Sequence, residues 1–157
     1  MKLLGPTIKR GKSRTDYPTP WEFVRAVEKR FGPLTLDLAA SETNTKADSY
    51  FDVTQNSLVQ PWHRYSGNLW LNPPFDNITP WAEKCASESF LGATIFFLTP
   101  ASVGANWFRD FVHGKALVLG LNGRITFEGA TDPYPKDCIL SCYGLSAGFD
   151  VWAWQET

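Results

Sequence analysis

Short apolar runs and amphipathic segments alternate along the first two thirds of this chain, and that alternation limits its folding more than any other feature. Thr19-Pro20-Trp21-Glu22 reads as a helix start: Thr19 can cap, Pro20 suits the first helical position and Glu22 completes a capping box. Phe23, Val24, Val27 and Phe31 follow at helical spacing, and Gly32-Pro33 ends the segment. Leu34 to Ala40 is a short apolar strand interrupted by Asp37, and residues 41–49 form a polar loop or short helix. Tyr50 to Val53 and Asn68 to Leu71 read as further strands. The latter stops at Asn72-Pro73-Pro74-Phe75, because two prolines cannot extend a central ladder.

A second helix opens at Thr79-Pro80, with Ile78, Trp81, Ala82, Cys85 and Ala86 as its buried stripe, and ends at Gly92. Thr94 to Leu98 is apolar without alternation, as in a strand covered on both faces. Val103 to His113 reads as a third helix, with Trp107, Phe108, Phe111 and Val112 on one side and Gly114 after it. The tail then supplies four strand candidates: Ala116 to Leu121, Arg124 to Phe127, Cys138 to Tyr143 and Phe149 to Trp154. The expected architecture is an open α/β sheet, parallel in the middle, with antiparallel strands at the C-terminal edge. Ligands of such sheets sit beyond the carboxyl ends of the strands. Two segments lie there, the one after Asp37 and the one after Leu71.

Composition narrows the class. The 157 residues suit one domain, and a 43% hydrophobic content is enough for a packed core. No apolar run is long enough for a membrane span, and residues 1–14 lack a signal-peptide core. Cys138 and Cys142 lie four apart on an extended segment, roughly 13 Å, too far to bridge. The cysteine usage fits a reduced, cytoplasmic protein. The two histidines, His63 and His113, are far apart, so neither a metal site nor a His triad is expected. Most of the seven Trp are expected in the core. Trp152 and Trp154 are expected to pack on the sheet edge, and formation of a homo-oligomer stays open.

The near-neutral total of 15 cations against 16 acids conceals an uneven distribution. Residues 1–14 hold Lys2, Lys9, Arg10, Lys12 and Arg14 with no acid, whereas the other 143 residues carry ten cations against sixteen acids. A basic arm thus precedes an acidic body, residues 15–157. Such an arm can neutralise phosphates and release counterions; taken alone it reads first as a solvated terminus.

Asn72-Pro73-Pro74-Phe75 carries the chemistry. An exocyclic amine on a nucleobase is a weak nucleophile, because its lone pair is delocalised into the ring. To accept a methyl group it must be held with that lone pair aimed at the donor. Asn72 can offer its side-chain oxygen to one N–H and the Pro73 carbonyl can accept the other, its direction stiffened by Pro74. Phe75 offers a face for stacking, worth about 1–3 kcal/mol per base. The base must be flipped out of a duplex or already single-stranded.

These segments together resemble the phage-type DNA N6-adenine methyltransferases, the phage Dam family. The resemblance runs from about Asp16 to Tyr143. It is carried by Asp16-Tyr17-Pro18-Thr19-Pro20, Leu36-Asp37-Leu38-Ala39-Ala40-Ser41 with Asn44, Leu69-Trp70-Leu71-Asn72-Pro73-Pro74-Phe75, Phe97-Leu98-Thr99-Pro100, Asn106-Trp107-Phe108, and Gly123-Arg124-Ile125-Thr126-Phe127. It implies a Rossmann-like methyltransferase fold, S-adenosylmethionine as methyl donor, no metal, and DNA as partner in a bacterial host cell. It also implies a catalytic pocket of Asn72, Pro73, Pro74 and Phe75. Tyr17, Thr19 and Pro20 match a segment near the donor's methionine part, and Asp37, Ala39, Ala40 and Ser41 match the first cofactor loop. That loop lacks Gly-x-Gly, so any position in it requiring positive φ would be strained.

Asp52 has two readings, a hold on the donor ribose or a solvated strand-end acid, and Asp37 has a second reading, serving the loop's own hydrogen bonds rather than touching the ligand. Arg124 reads as a DNA contact or as a surface salt bridge, while Lys9, Arg10, Lys12 and Arg14 are the arm's phosphate contacts. Three functions remain to be separated: adenine N6 transfer, transfer to cytosine N4, RNA bases or glutamine side chains, and a degenerate nucleic-acid-binding protein without activity. A sheet needing nearly all 157 residues would leave no separate target-recognition domain, hence an expectation of short or relaxed sequence specificity.

Overall fold

The computed structural model describes residues 17–156. The basic arm, with Lys9, Arg10, Lys12 and Arg14, lies outside the described residues. Seven strands form one sheet: β1 (Leu34–Asp37), β2 (Ser49–Tyr50), β3 (Asn68–Leu71), β4 (Thr94–Pro100), β5 (Ala116–Asn122), β6 (Cys138–Tyr143) and β7 (Gly148–Ala153). Their order is β2-β1-β3-β4-β6-β5-β7. Strands β1 to β4 pair in parallel, as do β5 and β7. The antiparallel pairings are β4 with β6 and β5 with β6, so one reversed strand accounts for them. The sheet is mostly parallel and its antiparallel part falls in the C-terminal half, as the sequence indicates.

Both faces of the central strands are covered, which is why β3 and β4 show no polar alternation. Leu69 and Leu71 on β3 and Ile95 and Phe97 on β4 face one core, with helix α2 (Thr79–Phe90) and helix α3 (Asn106–Phe111). Trp70, Phe96 and Leu98 face the opposite core under helix α1 (Trp21–Phe31), where Phe23, Val24 and Val27 are fully buried. Trp152 and Trp154 belong to this second core, and Phe23 meets Trp154 edge-on at 5.0 Å. These tryptophans therefore pack on the sheet edge, as expected, while Phe149 and Val151 on the other face of β7 are exposed.

Four local expectations fail for identifiable reasons. Thr19 is not the helix cap; Pro20 occupies that position without a side-chain cap bond, and the Thr19 hydroxyl is used elsewhere. Arg124 to Phe127 is not a strand. Ile125 and Phe127 are buried, which explains the alternation, but the segment bonds outside any ladder, with Tyr134 N–H donating to the Ile125 carbonyl and Glu128 N–H to that of Pro18. The third helix begins only at Asn106, because Ser102 to Ala105 form a turn. The Tyr50 strand is also shorter than expected, since Asp52 caps a 3-10 turn over Val53–Gln55.

Candidate active site

The carboxyl ends of β1 and β3 lie side by side, since the two strands pair with Asp37 opposite Trp70. The loops that follow them, together with the segment entering α1, enclose a cleft lined by Pro18, Thr19, Asp37, Ala39, Asn44, Lys46, Trp70 and Asn72. Two separate sequence motifs and the Thr19 segment thus meet at one place.

Asn72 is held by its amide nitrogen. Nδ2 donates to the Tyr17 carbonyl and, at 2.8 Å, to the Thr19 hydroxyl. Both amide hydrogens are therefore committed, which fixes the plane of the group and turns Oδ1 the other way. Oδ1 is buried and has no hydrogen-bond partner among the described residues. A buried acceptor left unpaired costs about 1–3 kcal/mol; Ser141 Oγ on β6 is also buried without a partner, but of the two only Asn72 Oδ1 belongs to a cleft-lining residue. Pro73 is buried behind Asn72, and Pro74 is exposed.

Phe75 sits in a group of four rings. Its centroid lies 5.3 Å from that of Tyr17, 6.0 Å from Phe127 and 5.8 Å from Tyr134. The ring is only partly buried and touches both cores, so the motif is anchored to the fold at Phe75 as well as at Asn72. Tyr134 carried no sequence signal, being an isolated aromatic in a Pro- and Asp-containing loop.

Asp37 anchors the loop after β1. Its Oδ1 accepts from Ala39 N–H at 3.2 Å and its Oδ2 from Lys46 N–H at 2.9 Å. Burial outweighs these two bonds and the nearby Lys46 charge, and pushes the carboxyl from 3.8 up to about 7. Asn44 closes the turn, its side-chain oxygen accepting from Ser41 N–H at 2.7 Å. Asn56 is the one non-glycine residue with positive φ among the described residues, so Asp37 to Ser41 adopt ordinary backbone angles and the missing glycines impose no strain. Ala40 N–H donates to the Phe51 carbonyl, tying the loop to the end of β2.

Of the sequence candidates among the described residues, Thr19, Asp37, Ala39 and Asn72 line the cleft; Tyr17, Pro20, Ala40, Ser41, Pro73, Pro74 and Phe75 lie within three positions of a lining residue in the chain, and Asp52 and Arg124 do not. Asp52 Oδ1 accepts from Thr54 N–H at 3.0 Å and from its hydroxyl at 2.6 Å, the geometry of a helix cap. Arg124 is exposed, with Nε 3.1 Å from Asp137 Oδ1. Lys46, which no motif marked, lines the cleft although its side chain is only 3% exposed. His63 has a structural partner that its sequence context did not suggest: Nδ1 lies 2.7 Å from Glu88 Oε1 on α2. The described residues contain no cluster of three or more His, Cys, Asp or Glu able to hold a metal ion, and no helix long and apolar enough to cross a membrane.

A mostly parallel sheet covered on both faces, with an acid-bearing loop after β1 and Asn-Pro-Pro-Phe after β3, is consistent with a Rossmann-like methyltransferase fold. Comparison with known proteins narrows this. A model of the family described as DNA N-6-adenine-methyltransferase (Dam) matches residues 7–138, and the chain belongs to that family. The DNA N-6-adenine-methyltransferase of Haemophilus phage HP1 (strain HP1c1) is 33% identical over 115 residues, 71% of this chain and 65% of that protein. The DNA N-6-adenine-methyltransferase of Escherichia phage T1 is 27% identical over 125 residues, 80% of this chain and 52% of that protein. The chain thus spans between about half and two thirds of these curated relatives' length.

Proposed function

We propose that the chain transfers a methyl group from S-adenosylmethionine to the N6 amine of adenine in DNA, acting in the cytoplasm of a bacterial host cell as a phage or prophage product. The observation that carries this reading is the buried, unpaired Oδ1 of Asn72, fixed in direction by the two bonds to its amide nitrogen. An acceptor so prepared suits an amine N–H, and its pairing would remove the cost of leaving it alone. The Pro73 carbonyl takes the second N–H, so the amine is held by both hydrogens and its lone pair is left to react. When bound, the donor supplies a methyl group made electrophilic by its sulfonium. A positioned amine then needs no general base of shifted pKa.

The base reaches this site only when flipped or single-stranded, and it stacks against the Phe75 side of the ring group. Tyr17, Thr19 and Pro20 hold the methionine side of the donor, and Asp37, Ala39, Ala40 and Ser41 form the first loop around it. Asp52, at the end of β2, takes the ribose. The buried Asp37 carboxyl beside the cleft suits a cationic ligand. Arg124 and the arm residues Lys9, Arg10, Lys12 and Arg14 contact phosphates.

The test is transfer of labelled methyl from S-adenosylmethionine to unmethylated DNA, followed by nuclease digestion and nucleoside analysis. N6-methyladenine is expected, with activity reduced at least a hundredfold in Asn72→Ala, a loss of roughly 2.7 kcal/mol in transition-state stabilisation. Label in cytosine N4 or in RNA, or an Asn72→Ala variant as active as the natural sequence, would refute the reading.

A further inference from the structure

Lys46 is a buried cation that fold stability alone does not account for. Its side chain is 3% exposed, and its ammonium lies 3.3 Å from Glu128 Oε1 and 4.6 Å from the centre of the Trp21 ring. An ammonium has three N–H donors. One meets Glu128 at a distance longer than the roughly 2.7–2.9 Å of a tight charge-assisted bond, and the ring takes the charge only through its π face. Glu128 is itself partly exposed, so the pair joins a dry cation to a solvated anion, a weak return for burying the charge. The backbone of Lys46 is fixed as well, its N–H donating to Asp37 Oδ2. Of the residues lining the cleft, Lys46 and Asp37 carry the charges, one of each sign, beside Thr19.

We infer that Lys46 binds the α-carboxylate of the methyl donor's amino-acid end. This rests on the reading of the cleft as the donor site. The amino-acid end is a zwitterion, and the cleft offers a matching pair: the Lys46 ammonium for the carboxylate and the Asp37 carboxyl for the ammonium. A carboxylate entering beside Thr19 gives the Lys46 ammonium the short, charge-assisted partner that Glu128 does not supply. Glu128 is then the resting partner, carried on a segment tied to Pro18 by its backbone N–H at 3.0 Å.

The experiment is calorimetric titration of the full chain with S-adenosylmethionine and with its decarboxylated form, which keeps the sulfonium and the amine and lacks only the carboxylate. The natural sequence should prefer the intact donor by about tenfold or more. Lys46→Met should bring that preference to within about twofold by weakening the intact donor alone, Lys46→Arg should keep part of it, and Glu128→Gln should preserve or increase it. Lys46→Gln serves the same comparison if the Met variant does not fold. A purely structural ion pair would make Lys46→Met and Glu128→Gln weaken both ligands alike, and that result overturns the inference, as does an unchanged preference in Lys46→Met. Failure of the natural sequence to bind either ligand overturns the donor-site reading itself and this inference with it.

Discussion

The clamp on Asn72 can be loosened at Thr19 without touching the motif. Thr19→Val keeps the branched shape in a position that is 1% exposed but removes the hydroxyl that accepts from Asn72 Nδ2. One amide N–H then loses its partner inside the fold, at a cost of about 1–3 kcal/mol. At roughly 2–4 °C per kcal/mol for a domain of this size, the melting temperature should fall by about 2–12 °C. The catalytic cost arises separately. With one bond to Tyr17 remaining, the amide plane can swing and Oδ1 no longer holds a single direction. A kcat reduced tenfold to a hundredfold corresponds to about 1.4–2.7 kcal/mol, within the range of one lost orienting bond. Steady-state methyl transfer to DNA and a thermal melt measure the two effects, and Thr19→Ser, which retains the acceptor, should stay within about threefold of the natural sequence in kcat. Natural kcat and melting in Thr19→Val would refute the clamp. A Thr19→Ser variant as impaired as Thr19→Val would show that the methyl group matters and the hydroxyl does not.

Other consequences are open to measurement. Asp37 titrates near 7 when folded and 3.8 when unfolded, so its folded form holds a proton the unfolded chain has lost; its contribution to stability is full below about pH 4 and declines as pH rises to about 7, by a few kcal/mol at most. Melting temperatures compared with Asp37→Asn over pH 5 to 8 should show that decline, while binding of a cationic donor should strengthen over the same range as the proton is expelled. Gly144, at φ +94°, has no room for a side chain, since a Cβ would lie 2.8 Å from Thr94 Oγ1 and 3.1 Å from Thr94 Cα; Gly144→Ala should cost about 2 kcal/mol or more in a denaturant titration. Breaking the exposed Arg124–Asp137 pair should change stability by less than about 1 kcal/mol, whereas Arg124→Ala should lower DNA affinity and reduce the salt slope by about 1. Removing residues 1–14 should weaken DNA binding and flatten its salt dependence further.

What the sequence made legible was whatever local pattern determines. Asn68 to Leu71, Cys138 to Tyr143 and the end of α1 before Gly32 fall where periodicity and glycine place them. The meeting of the Asp37 loop with Asn72 follows from strand ends sharing one side of a parallel sheet. What was not legible depends on partners distant in the chain. Thr19 satisfies every local rule for a helix cap, yet its hydroxyl serves an amide 53 residues away. Ile125 and Phe127 alternate like a strand because a core on one side demands it, with no neighbouring strand to complete a ladder. Lys46 reads as one more solvated lysine in a polar loop; its burial depends on Trp21 and on Glu128, 82 residues further on.

The segment Asn72-Pro73-Pro74 also has a chemical polarity. Both hydrogens of the Asn72 amide are spent on Tyr17 and Thr19, and the two prolines have no backbone hydrogen to give. Apart from the Asn72 backbone N–H, this segment can only receive hydrogen bonds. On the proposed reading, a ring edge ending in a keto oxygen would face oxygen against oxygen, whereas an amino edge would find partners for both of its hydrogens. Discrimination of amino from keto bases would then follow from the donors this segment withholds, before any base is read by its sequence context.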